Sequence, residues 1–372
     1  MNGIGYALIA VVTLPLAAIV TFIPWLTRRT ESFGVSIEEK YFHDPEIAGM
    51  RRIYATVTGT VGLIAIIACL IGASRLQEEA IGWLLPSATG VMLAAHLAMY
   101  LRFHFRMRAL KRERGLLAAE MQQTVVDTAF HREQRAYPMY WLIPHLLVAA
   151  ATAVFIIVNY DAFPDRIAMQ YGMDGVPTRV VDKSRVTVLF PVWIQLLMIG
   201  IFGMVNYSIS ASKQQIDASN PRASLRRNLI FRRKWSAFTL TMGFLITMLF
   251  AAIPLQQVYG FEVNILMTLI LTFVTIILLW VVRLGFVTGQ GGSRIRLPDE
   301  ESAPATGKVN RDDDRYWILG QFYYNPDDPA LFLEKRFGIG WTFNFARPLA
   351  WVLFFGPLVA VILLVILLER GM

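Results

Sequence analysis

Four polar side chains stand inside long apolar stretches of the sequence, where they could exchange protons or form strong hydrogen bonds: His96, His145, Gln195 and Asn206. The two histidines and the single cysteine, Cys69, fall short of the three or four ligands that a zinc site needs. The sequence also lacks metalloprotease, phosphate-binding and dinucleotide-binding motifs. We therefore expect no catalytic residue, no metal site and no cofactor. Hydrogen bonds between helices or interfacial hydration are the favoured role for His96 and His145, with a proton or metal role as the alternative.

The apolar stretches predict the fold class. Of the 372 residues, 55% are hydrophobic and 17% are charged, and the mean hydropathy is +0.49. A transmembrane helix needs roughly 20 apolar residues, and eight stretches are long enough, with no Asp or Glu well inside them. The sequence therefore predicts an all-α integral membrane bundle with eight transmembrane helices. They run from Gly3 to Leu26, Ile53 to Ala73, Ala80 to Leu101, Met139 to Asn159, Val186 to Ser208, Ser236 to Leu255, Val263 to Val282 and Pro348 to Leu368.

The basic residues predict the orientation of these helices. If the N-terminus is outside, 29 of the 35 Lys and Arg residues lie on the cytoplasmic side, as the positive-inside rule requires. We expect both termini to be outside, in a multi-pass protein of the bacterial cytoplasmic (inner) membrane. The net charge of +8 is then explained by the lipid bilayer, with anionic lipids as partners at the inner face. No nucleic-acid partner is expected.

Composition also predicts the organisation of the chain. Residues 1–138 form an N-terminal region of three spans with cytoplasmic loops, and 139–209 form a two-span unit with an ordered extracytoplasmic loop, 160–184. Residues 210–285 hold spans 6 and 7. A Gly-, Ser- and Pro-rich flexible linker, 286–310, leads to the last part, 311–372, an aromatic cytoplasmic segment followed by span 8.

The extracytoplasmic loop is rich in residues that favour turns. Its Pro-Asp-x-Ile, Gly-x-Pro and Lys-Ser motifs resemble a bacterial domain of unknown function that precedes the helical module of SdpI-type immunity and signalling membrane proteins. Gln170 stands where that domain has His, and an amide does not titrate. The favoured interpretation of the loop itself is a structural element that closes the end of two helices, and the alternative, which the resemblance implies, is ligand or toxin sensing. The candidate recognition residues are Pro164, Asp165, Gln170, Asp174, Gly175, Pro177, Asp182 and Lys183.

The segment before span 8 carries a second motif, Tyr-Trp-x-x-Gly, Phe-Tyr-Tyr-Asn-Pro-Asp-Asp-Pro and Gly-Trp-Thr-x-Asn. It resembles another small domain of unknown function, and residues 30–37 resemble a loop of larger uncharacterised membrane proteins with the same extracytoplasmic signature. The candidate cytoplasmic motif consists of Trp317, Tyr323, Tyr324, Asn325, Asp327, Asp328, Gly340, Trp341 and Asn344. We expect its buried aromatic residues to be Phe322, Tyr323, Phe332, Phe337 and Trp341. Asp312, Asp313 and Asp314 are expected to form a solvated acidic cluster facing the basic loops, with a divalent-cation site as the alternative.

The resemblance of the whole chain to SdpI-related bacterial membrane proteins favours a non-enzymatic role in envelope immunity, sensing or scaffolding. The loop 160–184 would then meet a peptide or a neighbouring protein. One alternative is a transporter or exporter of a small molecule or peptide, which a polar cavity lined by Gln195, Asn206, Thr268, Thr272 and Thr275 would favour. An enzyme at the membrane interface is the second alternative, although no nucleophile and base pair is visible.

Overall fold

The computed structural model describes residues 3–75, 78–116, 136–172, 176–213, 221–297 and 314–370. Eight helices in these ranges are long and apolar enough to cross a membrane. They are α1 (Gly3–Leu26), α2 (Pro45–Arg75), α3 (Glu78–Glu113), α4 (Ile143–Val158), α5 (Arg185–Ala211), α6 (Pro221–Tyr259), α7 (Val263–Thr288) and α8 (Pro348–Arg370). This confirms the predicted all-α membrane bundle.

Three helices are much longer than their apolar stretches. Helices α2, α3 and α6 have 31, 36 and 39 residues, so α6 measures about 58 Å at 1.5 Å per residue, against a hydrocarbon core of about 30 Å. The additional turns are polar and lie on the side of the bundle where α1, α3, α5 and α7 end. We call this side the basic face and the opposite side the hairpin face.

The helices form two groups of three. Helices α1, α2 and α3 pack on one another and form the first unit, and α4, α5 and α6 form the second unit. Helix α7 packs on both α1 and α6, whereas α8 packs on α5. Small residues allow close approach in the first unit, where a Cβ at Gly62 would lie 3.2 Å from Ala17.

Within the described ranges, four two-stranded antiparallel sheets lie at the ends of the bundle. Strands β3 (Arg166–Tyr171) and β4 (Pro177–Asp182) form a hairpin on the hairpin face. The other strands lie on the basic face: β1 (Glu31–Ser32) with β2 (Val35–Ser36), β5 (Trp317–Ile318) with β6 (Phe322–Tyr323), and β7 (Phe332–Glu334) with β8 (Trp341–Phe343). We call residues 314–345, which contain β5 to β8, the cap.

Two expectations about the basic face need correction. Phe322 is 47% exposed, because its side chain lies on the outer side of β6 while Tyr323 points inward at 2% exposure. Phe332 and Phe337 are buried as expected, and Trp341 is half-buried. The first residues of the segment predicted to be a linker are packed rather than free, because Gln290 is fully buried; residues 298–310 lie outside the described ranges.

Candidate functional sites on opposite faces of the bundle

The intramembrane histidines form hydrogen bonds between helices. His96 Nδ1 on α3 contacts the hydroxyl of Tyr54 on α2, which also donates to the carbonyl of Val20 on α1 at 3.0 Å. His145 Nε2 on α4 lies 2.9 Å from the carbonyl oxygen of Leu240 on α6. Each histidine therefore joins neighbouring helices of one unit, the role that the sequence favoured.

The intramembrane amides lie in the second unit. Gln195 on α5 donates to the Thr247 carbonyl of α6 at 2.9 Å and to Thr152 Oγ1 of α4 at 3.2 Å. Asn206 donates to the carbonyl of Tyr137 at 2.9 Å and accepts from Ser236 at 2.6 Å.

The threonines that would complete a polar cavity lie elsewhere. Thr268, Thr272 and Thr275 on α7 donate to carbonyls of their own helix at 2.7–2.8 Å. Thr268 and Thr272 line a groove of about 470 Å³ with Asn264, Ile265, Leu269 and Phe273. Among the described residues, the amides and the threonines therefore do not line a common cavity.

On the hairpin face, most of the candidate recognition residues are exposed: Pro164, Asp165, Gln170, Pro177 and Asp182. Gln170 on β3 pairs with Arg179 on β4, and Arg166 pairs with Asp182. Asp174 and Gly175 lie outside the described residues. The two strands thus expose polar side chains beyond the end of the bundle.

The hairpin is seated on the second unit through apolar side chains. Ile167 and Val181, one from each strand, are buried together with Ile156 of α4 and with Val188 and Val192 of α5. Val258, near the end of α6, packs against the same cluster. All three helices of the second unit therefore support the hairpin.

Lys183 differs from the other candidate recognition residues. Its Nζ donates to the carbonyl of Phe163 at 2.8 Å and lies 5.1 Å from the centre of the Tyr160 ring. Its backbone N–H donates to the Asp165 carbonyl at 2.8 Å, and the next residue, Ser184, caps the N-terminus of α5. Lys183 thus fastens the base of the hairpin.

On the basic face, the motif residues mostly build the interior of the cap. Asn344 is fully buried and accepts from the backbone N–H of Asn325 at 3.0 Å, while its amide donates to the carbonyls of Asn325 and Asp328 at 2.8 and 2.9 Å. Trp317 and Tyr323 pack in one buried cluster. The hydrogen bonds of Asn344 connect the turn at 325–329 to the end of β8.

The remaining motif residues are less buried. Tyr324 and Asp327 are exposed, and the half-buried Trp341 places its ring 5.4 Å from that of Phe231 on α6. Gly340 is held by Gln290, whose side chain accepts from the Gly340 N–H at 2.8 Å and donates to its carbonyl at 2.9 Å.

The basic face holds a fully buried carboxylate, Glu334 on β7, which the sequence did not single out. Its carboxylate forms ion pairs with Arg28 and, at 3.1 Å, with Arg232 on α6, and it accepts from Asn228 at 2.7 Å. Arg232 is also fully buried and donates to two carbonyls at the end of α5 at 3.0 Å. Charged groups so far from water are stable only with such partners.

A second charge cluster joins the cap to the first unit. Asp314 accepts from Lys111 of α3 at 2.7 Å and from the backbone N–H of Ser36 at 3.1 Å, and it is paired with Arg336. Burial by itself would raise the pKa of Asp314, but the charge of Arg336 and the Lys111 hydrogen bond outweigh it and lower the pKa to about 2. Asp314 is therefore a partly buried, paired carboxylate and not the solvated group expected from the sequence; Asp312 and Asp313 lie outside the described residues.

A third acidic residue of the cap that is paired with a basic residue is Asp328. It lies 2.6 Å from Lys213 Nζ, just after α5, and accepts from the Tyr323 hydroxyl at 3.0 Å. Burial would raise the pKa of Asp328, but the hydrogen bond from Lys213, the Ala330 N–H and the Tyr323 hydroxyl lower it below its usual range. This carboxylate stays ionised at neutral pH.

The tip of the cap also reaches the first unit directly. Phe337, in the turn between β7 and β8, packs its ring 4.5 Å from that of Tyr100 and 6.2 Å from the ring of His96. The turn glycines Gly34 and Gly320 meet beside Tyr100, since a Cβ on Gly34, where φ is +76°, would come within 2.8 Å of Gly320 Cα. The sequence signal for this contact was the Gly-rich, aromatic composition alone, which does not identify a partner.

Two family models match parts of the chain. One, described as a domain of unknown function (DUF1648), matches residues 147–194, which hold most of α4, the β3–β4 hairpin and the start of α5. The other, described as a family of unknown function (DUF5808), matches residues 326–351, the second part of the cap and the start of α8. No curated protein matches the chain, and neither does any solved structure. The matches agree with the two resemblances to domains of unknown function and support an uncharacterised family.

Proposed function

We propose that this chain is a non-enzymatic sensing or immunity protein, related to the SdpI-type proteins, in which the β3–β4 hairpin recognises a peptide or a neighbouring protein. One observation carries the proposal: the helices that hold the hairpin also hold the cap. Helix α5 packs on the hairpin through Val188 and Val192, and Lys213 follows its other end. Helix α6 reaches the hairpin cluster with Val258 and binds Glu334 through Arg232. A displacement of α5 or α6 caused by binding at the hairpin would therefore also act on the contacts of the cap at the opposite face.

In this proposal the basic face is cytoplasmic and both termini are outside, because 29 of the 35 Lys and Arg residues fall in the sequence segments assigned to the cytoplasmic side. The membrane is the bacterial cytoplasmic membrane, with anionic lipids at the basic face as partners. Orientation is tested with cysteines placed at Gln170 and at Arg315, both exposed, after Cys69→Ala. A membrane-impermeant thiol reagent added to intact cells should label position 170 and spare position 315, and the reverse pattern would contradict the orientation.

Recognition is tested with a photo-crosslinking residue at Arg179, opposite Gln170 in the hairpin. A matched control places it at Tyr259, which is 69% exposed at the same end of the bundle. We expect an adduct from position 179 alone, and its loss when Asp165, Gln170 and Asp182 are changed to alanine in a chain that still folds. Identical adducts at both positions, or no effect of the alanine changes, would show that the hairpin has only a structural role.

Transport would need Gln195, Asn206 and the α7 threonines along one route. In the described part of the chain, Gln195 and Asn206 bond within the second unit, whereas Thr268 and Thr272 face outward on α7. We therefore do not propose transport as a second function, and no arrangement of described residues specifically favours an enzyme.

A further inference from the structure

Three of the four acidic residues of the cap, Asp314, Asp328 and Glu334, are bound by basic residues from several different parts of the bundle. Asp314 binds Lys111 of the first unit, and Asp328 binds Lys213 of the second unit. Glu334 joins both units, since Arg28 follows α1 and Arg232 belongs to α6. The cap thus supplies the negative charge at a place where the ends of both units carry positive charge.

Contacts on the side of the first unit are extensive. Besides the Asp314 pair, the hydroxyl of Tyr100 on α3 donates to the Leu319 carbonyl of the cap at 2.6 Å. The Phe337 ring lies among those of Phe33, Tyr54 and Tyr100 and is 2% exposed. This side combines a hydrogen bond, an ion pair and an inserted aromatic ring.

Contacts on the side of the second unit combine two ion pairs with the aromatic contact between Trp341 and Phe231. Lys213 donates its backbone N–H to the Phe332 carbonyl at 2.8 Å and its Nζ to Asp328. Of the three acidic attachments, this one is the most open to water, because the Lys213 side chain is 44% exposed while those of Arg232 and Lys111 are 0% and 7% exposed. Water and salt compete best with exposed ion pairs.

Outside the cap, α7 stands between the two units, because it packs on α1 and on α6. The hairpin cluster, in contrast, draws on the second unit alone within the described residues. A partner bound at the hairpin would therefore act on the second unit first. Only contacts that bridge the units, such as those of the cap, could pass the effect to the first unit.

We propose that the cap is a latch that fixes the relative position of the two three-helix units at the basic face, and that it opens first at the Lys213–Asp328 pair. The latch does not depend on the proposed sensing role, whereas its use as a relay for the hairpin rests on that role. Closed, it holds Phe337 between the helices of the first unit. Open, it leaves the units joined through α7.

The test measures the distance between the units in the full chain without any partner, so its failure is separate from failure of the recognition experiment. In a Cys69→Ala background, spin labels are attached to cysteines at Arg112 on α3 and Arg222 on α6, both exposed at the basic face. Pulsed electron resonance in lipid nanodiscs gives the distance distribution, and hydrogen exchange reports on the amides of β7 and β8.

Lys213→Glu places a carboxylate against Asp328 and should open the latch. Lys213→Arg keeps the charge and serves as the rescue, and Lys234→Glu makes the same charge change at an exposed position of the basic face. We expect Lys213→Glu to accelerate exchange in β7 and β8 about tenfold, equivalent to about 1.4 kcal/mol, and to broaden the distance distribution. The other two variants should match the wild type.

Two results would overturn the latch. If Lys213→Glu loosens β7 and β8 while the distance distribution stays narrow and unshifted, the cap does not set the position of the units. If exchange in β7 and β8 is unchanged, the Lys213–Asp328 pair does not hold the cap. Because Lys213 is partly exposed, the variant should fold, and exchange in β3 and β4 on the hairpin face checks that it does.

Discussion

The hairpin and the cap are built alike but use their polar residues in opposite ways. Each consists of short antiparallel strands on the ends of helices, and each coincides with a match to a domain or family of unknown function. In the hairpin, Asp165, Gln170 and Asp182 are exposed. In the cap, Asn344 and Glu334 are fully buried and bonded on several sides.

The buried motif residues of the cap are needed to build the fold, whereas the exposed motif residues of the hairpin are not. Asn344 and Asp328 have a complete structural explanation, because their bonds close the cap and fasten it to α5. The exposed residues of the hairpin have no comparable contacts in the interior. The search for recognition therefore belongs at the hairpin.

The physical reason lies in what each element covers. The cap lies over the end of α5, whose last carbonyls lack partners within the helix, and Arg232 donates to those of Ile209 and Ser212. The hairpin lies over apolar side chains near the other ends of α5 and α6. The cap is therefore fastened mainly by hydrogen bonds and ion pairs, whereas the hairpin is held mainly by apolar side chains such as Ile167 and Val181, with Lys183 and Ser184 at its base.

Glu334→Gln, in the cap, should have the largest effect on stability. This change leaves Arg28 and Arg232 facing a neutral amide in a buried site, so we expect a loss of about 3–5 kcal/mol in the free energy of unfolding. Unfolding in mild detergent measures it. The control is Glu39→Gln, at an exposed ion pair with Arg29, where a change above about 1 kcal/mol would show that burial is not the deciding factor.

Asn344→Ala should have the next largest effect. It removes the hydrogen bonds that hold the 325–329 turn and leaves buried backbone groups without partners, which costs about 2–3 kcal/mol. The same unfolding assay applies, with Asp327→Asn as the control, because Asp327 is exposed in the same turn. Equal effects of the two changes would refute the structural role of Asn344.

Lowering the pH should weaken the cap through Asp314. Its pKa is lowered to about 2 in the folded protein, so its ionised form stabilises the fold above the unfolded value near 4, and this stabilisation is lost as the pH falls towards 2. We expect the wild type to lose about 2 kcal/mol more than Asp314→Asn between about pH 5 and pH 2. Parallel pH profiles of the melting temperature for the two proteins would contradict this.

Lys183→Met tests whether a bonded polar residue of the hairpin stabilises it more than an exposed one does. It removes the hydrogen bond to the Phe163 carbonyl at the base, and we expect a loss of about 1 kcal/mol of local stability. Hydrogen exchange of the β3 and β4 amides reports it. Arg179→Met, an exposed position of β4, should leave exchange unchanged; if both variants behave alike, Lys183 does not fasten the hairpin.

The smallest expected effect on stability is that of Gln170→Ala. The side chain is exposed, so the free energy of unfolding should change by less than about 0.5 kcal/mol. A larger loss in the unfolding assay would show that the exposed polar side chains support the fold after all, and would remove the contrast between hairpin and cap.

Sequence reasoning located each transmembrane helix but underestimated three of them. It began the second span at Ile53 and the sixth at Ser236, whereas α2 begins at Pro45 and α6 at Pro221. Hydropathy reports only the part of a helix that is apolar, and the polar turns of α2, α3 and α6 project beyond it. The strands of the cap were missed for a related reason, because β5 to β8 have two or three residues each, too few for an alternating pattern.

The sequence by itself determined the membrane bundle, the number of its helices and the two polar segments, because apolar length and turn-forming residues act locally along the chain. Only the tertiary structure decided which charges meet. Glu334 lies about 300 residues from Arg28 and about 100 from Arg232 along the chain, and nothing in its immediate neighbours identifies them. Such pairs form because the helix ends bring distant positions together away from water, where an ionised group must find an opposite charge.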